Sequence, residues 1–132
     1  MNLKKAIIFT AILAAGSSAF AQNGNLKKAA SNFQKFEELR VTGSAQLGES
    51  FLQTAKEAID AASIHEKTKD LAETWTYNAL VYANLAILDK TKETEIKAEE
   101  AIKTAKSLDT DGKQAENIAA AGMPIFFRCI TW

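Results

Sequence analysis

His65 is the one imidazole of the chain and Cys129 its one thiol. A zinc site of the His-Glu-x-x-His kind needs a second imidazole on the same helix face, and a thiolate site needs several cysteines, so neither is open to this sequence. A lone thiol also forms no internal disulfide. His65 falls near the end of a helical segment, where a partly charged imidazole favours the helix dipole, a structural role. Cys129 follows Arg128, a neighbour that lowers a thiol pKa, yet it belongs to a stretch unlike the rest of the chain and reads as incidental. Ser31, Ser44, Ser50, Ser63 and Ser107 lack the turn context of an activated nucleophile. The glycines at 24, 43, 48, 112 and 122 are isolated and open no phosphate loop. Glu37-Glu38 and Glu99-Glu100 lie in Lys-rich helical surroundings and read as solvated faces, with Lys56–Asp60 and Glu99–Lys103 at ion-pair spacing. The chemistry expected is therefore binding rather than catalysis, with no cofactor and no metal. A hydrolase would need clustered, strongly perturbed carboxylates in a groove.

Composition narrows what must position such residues. The chain has 132 residues, 47% hydrophobic and 24% charged, which suits one globular domain and excludes wholesale disorder. Sixteen basic residues balance sixteen acidic ones, and aromatics and basics are not interleaved, so a nucleic-acid partner is not expected.

The first residues read as an address. Met1-Asn2-Leu3-Lys4-Lys5 is a basic start, Ala6 to Ala15 is apolar apart from Thr10, and Ala19-Phe20-Ala21 offers small residues to a signal peptidase. The alternative is a membrane-spanning helix. Ten apolar residues rise roughly 15 Å, about half of a hydrocarbon core, so the run is too short. The sequence predicts a signal peptide at 1–21 and a mature protein from Gln22, exported to the periplasm or secreted, without a membrane span. No cysteine near the cut offers a lipid anchor, and the mature chain carries 14 basic and 16 acidic residues.

Strong helix formers dominate from Leu26 to Ala121, so the period to test is 3.6. Four helices are expected: about Asn25 to Val41, about Ala45 to Lys67, one starting near Asp70, and about Glu93 to Leu108. Gly43 should close the first and Ser44 cap the second. Asp70 with Glu73 has capping-box spacing for the third. In the second helix, Ala55 to Ala62 aligns with Ala98 to Ala105 in the fourth, five of eight positions being identical at an offset of 43 residues. Offsets of this size are what stacked helix pairs produce.

On these residues the chain resembles the tetratricopeptide repeat. Trp75, Asn78, Ala79 and Tyr82 sit on the first-helix positions, with Asn for Leu and Ala for Gly. Ala98, Ile102 and Ala105 fit the second-helix positions, repeated one unit earlier by Ala55, Ile59 and Ala62. Leu108-Asp109-Thr110 approximates a Leu-Asp-Pro ending. Two departures stand out: the unit is 43 residues rather than 34, and the first helix lacks the Trp/Gly/Tyr pattern. The resemblance implies an all-α short solenoid of antiparallel helix pairs over 22–122. It also implies a groove lined by the first helix of each pair, here Glu73, Thr76, Leu80, Ala83 and Asn84, that takes a protein or peptide partner. A plain four-helix bundle would need the same core. A bundle that self-associates as a homo-oligomer is the alternative function, because repeat arrays usually need three or more units.

Beyond the second unit, Asp111 and Gln114 again have capping-box spacing, and Ile118, Gly122 and Ile125 stand one step past Trp75, Ala79 and Tyr82. A third unit therefore begins. Pro124 is expected to break it, at about 3 kcal/mol inside a helix. Residues 123–132 (MPIFFRCITW) form an atypical hydrophobic tail, either a greasy cap or the sign of a truncated or frame-shifted fragment of a longer repeat protein.

Overall fold

The computed structural model describes residues 24–130, with side chains as far as Phe126. The expected leader at 1–21, the Arg128–Cys129 pair of side chains and the last two residues lie outside what is described. Every regular element among the described residues is helical: α1 at 24–41, a 3-10 turn at Ala45–Gly48, α2 at Glu49–Ile64, α3 at Ala72–Asp89, α4 at Lys92–Leu108 and α5 at Ala115–Ile130. α3 packs against α2, α4 and α5, and α4 also meets α5.

The apolar spacing of the sequence becomes the core. Leu26, Ala29, Phe33 and Phe36 form the buried stripe of α1, and Leu52, Ala55, Ala58, Ile59 and Ala62 that of α2. Burying a side chain such as Leu52 or Ile59 contributes about 2 kcal/mol. The 43-residue offset also reappears in burial. Leu52, Ala55, Ala58 and Ala62 are buried on α2, and Glu95, Ala98, Ala101 and Ala105 are buried on α4. Alanine at these positions lets helix backbones approach closely. α3 is enclosed almost all round, every residue from Asn78 to Ala86 being buried. Glycine serves a close approach too: a Cβ on Gly48 would lie 2.9 Å from the Phe36 ring.

The helix ends differ in part from the sequence expectation. Gly43 closes α1 at φ +80° as expected. Ser44 precedes the 3-10 turn without a side-chain capping bond, and α2 proper starts only at Glu49. α3 starts later than Asp70, with Leu71 in the capping position and no side-chain cap. Thr91 caps α4 by accepting from the Thr94 amide, and Asp109 rather than Asp111 accepts the Gln114 amide before α5, at 3.1 Å. His65 ends α2 in extended backbone, and its Nδ1 accepts the Lys67 amide at 3.2 Å.

Pro124 does not break α5, which runs from Ala115 through it to Ile130. Proline there removes one backbone donor. On either side of it Ala121 and Ile125 are buried in the core, holding the helix where local propensity would end it.

Candidate functional site

Three helices that are not neighbours in sequence border an open groove of about 440 Å³. α1 supplies Phe33, Glu37 and Arg40, α3 supplies Leu80, Asn84 and Ile87, and α5 supplies Asn117, Ala120, Met123 and Pro124. Glu37, Leu80 and Met123 follow one another at 43-residue steps, so positions with this spacing face one hollow.

The floor is apolar and the walls carry paired or neutral polar groups. The Arg40 guanidinium forks onto Glu37, its Nε donating to Oε1 at 2.9 Å and a terminal nitrogen to Oε2 at 2.8 Å. That bond raises the pKa of a group already charged at any ordinary pH. The pair is about half-exposed and contributes little to stability, but the two ionised groups described on the groove wall neutralise each other. Asn84 spends one amide hydrogen on the Leu80 carbonyl at 2.8 Å. Ile87 and Met123 are 45% and 54% exposed, so apolar surface is open to a partner.

The five residues expected at the groove divide three ways. Leu80 and Asn84 line it. Thr76 and Ala83 are fully buried beneath the surface. Glu73 is exposed and borders a separate hollow with Leu26, Lys27, Ala30 and Leu71. The sequence reading, which expected the first helix of each pair to line a groove, named residues on α3 only and so none of those from α1 and α5. The 43-residue step from Leu80 to Glu37 and Met123 was the signal that could have found two of them.

A second hollow of about 320 Å³ lies between α2, α3 and α4 and is more polar. The Tyr82 hydroxyl donates to Asp60 Oδ1 at 2.8 Å, and Lys56 donates to Asp60 Oδ2 at 2.9 Å. Burial first, and then the bond to Asp60, push the Tyr82 pKa well above the ordinary tyrosine value. Asn78 Nδ2 donates to Ser63 Oγ at 2.8 Å, and that hydroxyl donates to the Ile59 carbonyl at 2.7 Å. The Trp75 indole N–H donates to the Lys69 carbonyl, fixing the ring. Lys56 and Lys97 stand 5.7 and 5.4 Å from the Tyr82 ring centre. Lys97 also pairs with Glu93 at 3.0 Å, which raises its pKa.

Among the described residues, no three His, Cys, Asp or Glu side chains gather where a metal ion would be held, and no helix is long and apolar enough to cross a membrane. No known family model, no curated protein and no solved structure matches this chain.

Proposed function

We propose that this chain is an exported, tetratricopeptide-like interaction module that holds a segment of another protein in the groove between α1, α3 and α5, without catalysis. The observation that carries the reading is the equal spacing of Glu37, Leu80 and Met123 around one open apolar hollow. A ligand groove of this kind uses apolar floor for affinity and a few amides to address a backbone. Asn84 and Asn117 supply those amides here.

Selection of displayed random peptides on the immobilised full chain tests it. Enriched peptides should bind the parent and lose at least about tenfold with Ile87→Glu or Met123→Glu, changes at part-exposed positions that leave the fold intact. Peptides that bind both variants as well as the parent, or no enrichment at all, would overturn the reading. Export is tested separately: the mass of the protein recovered outside the cytoplasm should correspond to a chain beginning at Gln22.

Ile87 and Met123 also favour the second reading, self-association through the same apolar surface. Sedimentation over a hundredfold concentration range separates the two, a constant monomer arguing for a foreign partner.

A further inference from the structure

The cleft between α2, α3 and α4 carries polar side chains that its position in the fold does not require. One 43-residue step along the chain, Trp75, Asn78 and Tyr82 are replaced by Ile118, Ala121 and Ile125, all buried, while Asp60 and Ser63 become the exposed Lys103 and Lys106. Aliphatic side chains therefore fill the positions that match Trp75, Asn78 and Tyr82. A buried polar network adds little net stability over such packing.

The network also leaves unused hydrogen-bonding capacity around the opening. Each Asp60 oxygen accepts one bond and keeps room for another. Asn78 spends one amide hydrogen on Ser63 and retains its carbonyl oxygen. Lys97 gives one of its donors to Glu93, and Glu100 stands exposed at the rim. Trp75 lines the same hollow, held by its N–H, and the electron-rich face of an indole attracts positively polarised C–H groups.

The charges near the opening are largely spent on one another, Lys56 on Asp60 and Lys97 on Glu93, which favours a ligand that is itself uncharged. What remains is a compact neutral molecule with donors and acceptors on its edge and C–H groups on its face. The volume of about 320 Å³ suits one ring of that kind. We propose that this cleft binds a neutral pyranose-sized sugar, its face on Trp75 and its hydroxyls on Asp60, Asn78, Lys97 and Glu100. The inference is independent of the groove between α1, α3 and α5.

The test uses the full chain with Trp132→Phe, which leaves Trp75 as the sole indole. Glucose, N-acetylglucosamine and glycerol are titrated while its emission is followed. At least one sugar should give a saturable change with half-saturation of about 1 mM, the affinity a dozen-atom ligand reaches at ordinary efficiency, and glycerol none. Asn78→Ala should weaken binding about tenfold and the exposed Glu100→Ala severalfold, and Ile87→Glu in the other groove should change nothing. Methyl glycosides distinguish a sugar unit within a glycan, which they mimic, from a free reducing sugar. No saturable response to either sugar, the same response to glycerol, or a response that Glu100→Ala leaves unaltered would overturn the proposal.

Discussion

Where α3 meets α2, the seam contains Asp60, Ser63, Trp75, Asn78 and Tyr82, tied by hydrogen bonds of 2.8 Å between side chains on the two helices. Where α5 meets α4, the equivalent places hold two exposed lysines and the buried Ile118, Ala121 and Ile125. Helix seams 43 residues apart thus tolerate two kinds of filling. Hydrophobic burial is insensitive to direction, so the second seam is set by shape alone. The first is set by shape and by donors matched to acceptors, which fixes how far α3 can slide on α2.

The aliphatic seam should suffer most from truncation. Ile118→Ala removes a nearly fully buried side chain between helices, and urea unfolding should show a loss of about 3 kcal/mol. Tyr82→Phe removes one hydrogen bond while Asp60 keeps Lys56, so the expected loss is about 1 kcal/mol. The same variant sharpens the contrast at high pH. The Tyr82 pKa is raised in the folded state, so its contribution is complete below the ordinary tyrosine value of 10.0 and declines as pH rises above it. Stability of the parent should therefore fall above pH 10, and Tyr82→Phe should flatten that fall without abolishing it, because burial and then Glu73 raise Tyr77 as well.

Replacing the polar pair together is the sharper trial. Ser63→Ala with Asn78→Leu removes donor and acceptor at once and should stay within about 1 kcal/mol of the parent. A double variant that costs more than Ile118→Ala would erase the distinction drawn between the seams. Lys56→Gln should matter least, a few tenths of a kcal/mol by thermal unfolding, since its partner Asp60 is partly open to water.

Much of this architecture was legible because helix-forming residues and a 3.6 period run through the chain. The alanines at 55, 62, 98 and 105 fell on the repeated pattern of the second and fourth helices, and all are buried. Helix ends were less legible. Asp70 and Ser44 had the right identity for caps, but capping depends on backbone angles that the following turn decides, and neither side chain makes the bond. Pro124 misled for a related reason: local propensity argues for a break, and the burial of Ala121 and Ile125 outweighs it. At the groove, residues were named on one helix only: Leu80 and Asn84 line a hollow, while Thr76 and Ala83, named beside them, are covered completely. Helical spacing sorts residues by direction, and only the neighbours decide whether a direction faces water.

The enclosure of α3 has a kinetic corollary. A rod wrapped on every side cannot open by itself, so its amides from Asn78 to Ala86 should exchange with deuterium only when the whole molecule comes apart. Turns at the outer edges of α1 and α5 can fray and close many times within that interval. The protein should accordingly lose its order in a single cooperative event, with the middle helix acting as its clock.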